Sequence, residues 1–175
     1  HVHTKASDGN LYPHDVIDRY QALDYDILAI TDHNGVTHPW TTLTETFGTD
    51  YENRDPVSTG MKDVAGNELS HHHHMGSYWT RHNDTHTELA SLDAAAALGG
   101  QTVLFHPGRY GNPASWYVDL LKRYDHLKGI EVYNQGDRYP GDRKLWDEIL
   151  TLTMPDRQVW GFSNDDMHQL PHLGR

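Results

Sequence analysis

The sequence predicts an α/β fold in which short strands alternate with amphipathic helices around a parallel sheet, and three observations carry that reading. Apolar runs of strand length alternate with 3.6-period patterns along the chain. The 175 residues are the length of one domain, enough to bury a core but short for a complete α/β barrel. His, Asp and Glu gather where the apolar runs end, which is where active sites of such folds lie.

The strand-like runs are Asp26–Thr31, Met61–Glu68, Thr102–His106, Gly129–Asn134 and Val159–Ser163. Between them, Pro13 opens a helix that carries Val16, Ile17, Tyr20 and Leu23 on one face, proline being tolerated where the first helical N–H has no partner. Leu89, Leu92 and Ala96 mark a second helix, stopped at Gly99-Gly100. Trp116, Leu120, Leu121 and Tyr124 mark a third, and Leu145, Trp146, Ile149 and Leu152 a fourth. Gly48 to Gly60 has turn composition and reads as a loop. Low complexity is confined to His71–His74. The chain starts at His1, where the end of a first strand is expected, and stops at Gly174-Arg175 before any closing element. Residues 1–175 are therefore expected to be a single domain cut at both ends.

Composition narrows the function classes. A formal charge of −11 disfavours long nucleic acid, whose affinity for proteins rests on Lys and Arg displacing counterions. The longest apolar runs, such as Ile27–Ile30, fall far short of the roughly 20 residues of a bilayer span, so no membrane partner is expected. Without Cys there are no disulfides or thiolate metal sites; the compartment is left open, with the cytoplasm favoured. Histidine is the anomaly, its 15 residues exceeding what a core of this size uses. His14, His38, His82, His86, His126 and His172 read as ordinary hydrogen-bonded or exposed residues.

The others fall into a pattern. His1-Val2-His3 places two imidazoles on the same face of a strand. Thr4-Lys5-Ala6-Ser7-Asp8-Gly9 follows, with a carboxylate at a glycine turn that can fold back toward them. Later runs end in Ile30-Thr31-Asp32-His33, Gly66-Asn67-Glu68 and Phe105-His106-Pro107, and the last closes with Asp166-Met167-His168.

This order, HxHTxxSDG, ITDH, GxE followed by His, HP, GIEVYN and DxH, resembles the polymerase and histidinol phosphatase (PHP) superfamily from His1 to His168. The resemblance implies a distorted seven-stranded (β/α) barrel of the TIM-like kind. It also implies nine ligands for two or three divalent ions: His1, His3, Asp8, His33, Glu68, His74, His106, Asp166 and His168, with Glu68 bridging two ions. Glu68, Asp166 and His168, with Arg109, are the residues expected to act on the reaction. His74 is preferred because Met75-Gly76-Ser77-Tyr78-Trp79 follows it as the family's strand follows its histidine; His73 is the alternative. Asp166 is preferred to Asp165 by its spacing to His168. His71 and His72 are either solvated or adventitious metal binders. Asp32, Glu131 and Asn134 are expected to orient ligands or substrate.

Imidazole and carboxylate without sulfur suit Zn, Mn or Fe. Three divalent ions bring six positive charges against three from Asp8, Glu68 and Asp166, a cationic well for a phosphate dianion in which the ions activate water as nucleophile. Arg109, three residues after His106, is either a fork for phosphate oxygens or a surface arginine. The expected function is thus metal-dependent cleavage of a phosphate ester of a small molecule or nucleotide. Two rivals stand beside it. One is hydrolysis of a carbamate, ester or amide on the same scaffold, although the larger amidohydrolases end in a lone Asp and use a modified Lys bridge. The other is a non-catalytic PHP module, a class that tends to lose ligands.

Overall fold

A computed structural model of the chain describes residues 1–83 and 87–174, so His86 lies outside the described residues. In chain order the elements are α1 (Pro13–Gln21), β1 (Ile27–Leu28), α2 (Leu43–Phe47), α3 (Pro56–Thr59), β2 (Lys62–Asp63), β3 (Gly66–Leu69), β4 (Met75–Tyr78), α4 (Glu88–Ala97), β5 (Gln101–Leu104), α5 (Ala114–Arg123), β6 (Leu127–Asn134), α6 (Asp142–Thr153) and β7 (Trp160–Asn164). Pro13 does open α1, and its Val16, Ile17 and Tyr20 are buried. Gly99, at φ +73°, follows α4 in the left-handed conformation that a helix stop favours. Leu23, Leu89 and Leu152 are exposed rather than facing the core, and the expected loop from Gly48 to Gly60 contains α3.

The strands form two sheets. β1 pairs with β2 in parallel, and β3-β4-β5-β6-β7 form a five-stranded sheet. In the larger sheet β3/β4 and β4/β5 are antiparallel, whereas β5/β6 and β6/β7 are parallel. The expected run Met61–Glu68 is split into β2 and β3. The short Ser70–His74 connection allows only an antiparallel return, because a parallel neighbour needs a crossover of a dozen or more residues.

The expected seven-stranded barrel is corrected: among the described residues the strands divide into two and five, and no barrel closes. β1 and β2 pair over two residues only, and the segment around Val2 contributes a single bridge to Met167 in place of a strand. A second bridge, His33 to Glu68, joins the edge of the small sheet to β3. Both bridges involve or flank expected ligands.

Two apolar clusters hold these layers. α5 and α6 pack Tyr117, Leu121 and Ile149 against Leu104, Leu127 and Ile130 of the larger sheet. α1 packs Ile17 and Tyr20 with Val2, Ile30, Trp40 and Met167. At Gly129 a Cβ would stand 1.8 Å from Trp160 O, so the close approach of β6 to β7 requires glycine there.

Candidate metal centre

The bridge at Val2 directs its two neighbours inward. His3 N donates to Met167 O at 2.8 Å and Thr31 N to Val2 O at 2.8 Å, so this segment is held on both sides. The turn that follows is held by Asp32, whose carboxylate accepts from Thr4 N (2.7 Å), Thr4 Oγ1 (2.8 Å) and Ser7 Oγ (2.7 Å), and this brings Asp8 back over the centre. His33 follows β1, Glu68 lies in β3, His74 precedes β4 and His106 follows β5. Asp166 and His168 come after β7. His106 (φ +30°) and Asp166 (φ +45°) have left-handed backbones, a strain that tertiary contacts must hold in place. For His106 the holding contact is its N–H to Glu131 Oε2 at 2.6 Å.

Glu68 is the hub. Its Oε2 lies 3.3 Å from His1 Nε2, 3.1 Å from His3 Nε2 and 3.2 Å from His33 Nδ1. Its Oε1 lies 2.8 Å from His74 Nδ1 and 3.2 Å from His106 Nε2. Asp166 Oδ1 lies 3.1 Å from His1 Nε2, 3.3 Å from His3 Nε2 and 3.5 Å from His168 Nδ1. Asp8 meets His3, His33 and His168 at 3.4 to 3.5 Å. All nine expected ligands thus fall into four overlapping groups of the size that holds an ion.

Whether these residues fit metal ions is tested by their unpaired nitrogens. His1 Nε2, His3 Nε2 and His33 Nδ1 are buried and make no hydrogen bond, although Glu68 Oε2 is within 3.3 Å of each. A buried polar atom without a partner is costly. Two ligands about 2.1 Å from one ion, at tetrahedral or octahedral angles, lie about 3.0–3.4 Å apart, close to these spacings. The donor set therefore fits divalent ions.

The clustered carboxylates and imidazoles shift one another's protonation. Burial alone would lift the Glu68 and Asp166 carboxyls, but the surrounding imidazoles hold both well below the usual carboxylate range. Burial likewise pulls His1 and His3 down, yet Glu131, Glu68 and Asp166 raise His1 well above normal, and Asp166 and Glu68 push His3 up to about 9. Burial lowers His33.

Around the ligands, Glu131 is fully buried and accepts four hydrogen bonds. They come from His1 Nδ1 (2.6 Å), Asn164 Nδ2 (2.7 Å), His106 N (2.6 Å) and Asn134 Nδ2 (3.0 Å). Asn134 also reaches Asp166 Oδ2 at 3.3 Å. Glu131 and Asn134 therefore stand where the sequence places ligand-orienting residues, and Asn164 joins them unforeseen, since a lone Asn at a strand end carries no signal.

The ambiguous residues separate cleanly. His74 faces Glu68, whereas His73 turns away and is buried, its ring stacked on Tyr110 and Trp116. Asp165 points to Tyr20 Oη (2.6 Å) and Gly174 N (2.7 Å), while Asp166 faces the imidazoles. His72 bonds Ser91 Oγ at 2.7 Å, and the exposed His71 is not among the grouped ligands. A cavity of about 270 Å³ opens over the ligands and is lined also by Arg109 and by Arg138.

No protein-family model and no curated protein matches the sequence. Solved structures do. The chain superposes on a two-domain protein of Bacteroides vulgatus ATCC 8482 that contains a predicted PHP-like metal-dependent phosphoesterase, with TM-score 0.69 and 18% identity over 97% of this chain and 51% of that one. The chain shares the fold of that protein. The same fold occurs in an amidohydrolase of Chromobacterium violaceum with bound sulfate, at TM-score 0.66 and 16% identity over 96% of this chain and 86% of that one. A protein of Bifidobacterium adolescentis ATCC 15703 assigned as a metal-dependent phosphoesterase gives TM-score 0.68 and 15% identity over 97% and 86%. At such identities the likeness is one of fold, and the chain spans about half the length of the Bacteroides protein. Among the described residues no helix is long and apolar enough to cross a membrane.

Proposed function

We propose that the chain is a metal-dependent phosphoesterase acting on a small-molecule phosphate ester or nucleotide, with two or three Zn, Mn or Fe ions held by His1, His3, Asp8, His33, Glu68, His74, His106, Asp166 and His168. The observation that carries the reading is the single Glu68 carboxylate shared by five imidazole nitrogens, three of them buried without a hydrogen bond. Divalent ions bound there supply Lewis acidity and acidify water at neutral pH. The protein supplies the rest. Glu68 is 1% exposed and Asp8 54%, so the centre has a closed floor and an open rim on the Asp8 side, through which substrate enters. Arg109 and Arg138 line that opening and have no carboxylate partner among the described residues, which leaves both guanidinium groups to phosphate oxygens. Nine converging ligands favour a catalytic centre over a non-catalytic PHP module, a class expected to lose ligands.

The net charge of −11 favours a compact dianion over a polymer, since a long polyanion is repelled wherever it leaves the cavity. The test is kcat/KM for a nucleoside monophosphate, a sugar phosphate, an aryl carbamate and a single-stranded oligonucleotide, with bound metal measured on the same sample. The monoesters should be turned over best at low ionic strength. Preference for the carbamate would assign the centre to carbonyl chemistry, and preference for the oligonucleotide at low salt would make it a nuclease.

A further inference from the structure

We infer that Asp142 is a positioning residue for the phosphate-gripping rim, locking the turn that carries Arg109 to the segment that carries Arg138. This rests on the phosphoesterase reading. Asp142 is the first residue of α6 and is fully buried, an expensive place for a carboxyl group. Its side chain does not cap its own helix. Instead Oδ1 accepts the Gly108 N–H at 2.7 Å, while Oδ2 is buried with no hydrogen bond.

Gly108 is the middle of the single helical turn Pro107–Arg109 that follows the ligand His106. A Cβ at Gly108 would stand 2.5 Å from Asp142 Oδ1 and 3.1 Å from Tyr139 Cβ, so turn and helix meet too closely for any side chain. On the far side of the contact, Asp142 N donates to Tyr139 O at 3.0 Å and Arg138 N to Asn134 O at 2.9 Å. Asp142 thus holds the neighbours of both cavity-lining arginines, Gly108 before Arg109 through its carboxylate and Tyr139 after Arg138 through its backbone N–H, while the arginine side chains are exposed and held by no ion pair among the described residues. Long exposed arginines grip an anion well when the backbone beneath them is fixed, because less freedom is lost on binding.

The test compares Asp142→Ala with Asp142→Asn, which retains an acceptor for Gly108 N–H, in Mn-loaded full-length protein. Inorganic phosphate serves as the binding probe and a phosphate monoester as substrate. Asp142→Ala should weaken phosphate binding and raise KM by about tenfold or more, the loss of one hydrogen bond amplified over two arginines, with kcat within about twofold and metal content unchanged. Asp142→Asn should restore most of this. Hydrogen exchange at the Gly108 amide should be slow in wild type and Asp142→Asn and fast in Asp142→Ala. Unchanged phosphate affinity in a folded Asp142→Ala, loss of metal in step with phosphate affinity, or an Asn variant as weak as Ala would each overturn the inference. If Asp142→Ala does not fold, Gly108→Ala displaces the same turn and should raise KM without rescue by Asp142→Asn; an unchanged KM there also overturns it. A wild type that hydrolyses no phosphate ester sinks the phosphoesterase reading instead, while phosphate affinity and Gly108 exchange still report on Asp142.

Discussion

The His1 Nδ1–H donates to Glu131 Oε1 at 2.6 Å, and this bond turns His1 Nε2 toward Glu68 and Asp166. A neutral imidazole has one N–H, so a carboxylate on Nδ1 leaves Nε2 as the bare, ligating nitrogen. Glu131 also meets donors from His106 N, Asn134 and Asn164, so every one of its contacts needs an acceptor. The amide of Glu131→Gln would set an NH₂ against two of those donors. The variant should bind metal about 10–100-fold more weakly while remaining folded. Chelator competition with circular dichroism checks this, and unchanged metal affinity would show that Glu131 is purely structural.

Glu68→Gln keeps size and removes the charge shared by five imidazoles. It should cost more than one ion per chain and lower kcat by more than the roughly 100-fold expected of residues that only orient ligands. His71→Ala, outside the four ligand groups, should leave both near wild type. Elemental analysis of protein purified without a His-affinity column decides. Equal effects from the two substitutions would hand the metal to the histidine run.

Arg109→Ala and Arg138→Ala should each raise KM for a phosphate monoester by about 10–100-fold, the 1.5–3 kcal/mol of a charge-assisted hydrogen bond at about 1.4 kcal/mol per tenfold. Arg109→Lys should recover little, because an ammonium cannot grip two oxygens at once. Steady-state kinetics on metal-replete protein checks it; recovery by lysine would leave only a point-charge role.

His73 makes stability pH-dependent. Burial lowers its pKa to about 3, and the neutral ring is satisfied by donating from Nδ1 to His74 O at 3.0 Å and accepting at Nε2 from Tyr117 Oη at 3.1 Å. In the unfolded chain it protonates near its usual value of about 6.5. Between that value and about 3 the unfolded state therefore binds the extra proton, and folding stability falls as pH falls, by at most about 1.4 kcal/mol per pH unit. His73→Gln should flatten this slope in chelator-treated protein. Denaturant unfolding at pH 7, 6 and 5 measures it, and parallel slopes for the two proteins would refute it.

The residues that meet at the centre were legible through the order of motifs that resembles the PHP superfamily, since 15 His and 25 Asp and Glu offer ligand chemistry far too many candidates; the bridge at Val2 places His1 and His3 as their i, i+2 spacing requires. Helices α1, α4, α5 and α6 were legible from local period and stop signals, although Leu23, Leu89 and Leu152 show that apolar spacing alone does not say which residues are covered. The parallel sheet was read from strand-length runs, which say nothing about pairing direction, and the closed barrel was implied by the resemblance alone; the strands divide instead into two and five among the described residues.

Local chemistry in the sequence determined which side chains are of metal-ligating type, where α1 begins and where α4 stops. Only the tertiary structure decided that β4 runs antiparallel to both β3 and β5, and that Asn164, Arg138 and Asp142 stand around the centre; where the sequence had a preference between neighbours, the structure sets His74 beside Glu68 and Asp166 beside His1 and His3. The reason is range. Propensity and spacing act over one or two turns of chain, whereas His1 and Glu131 are 130 residues apart, and which of two adjacent side chains faces inward is set by the neighbours it meets across such distances.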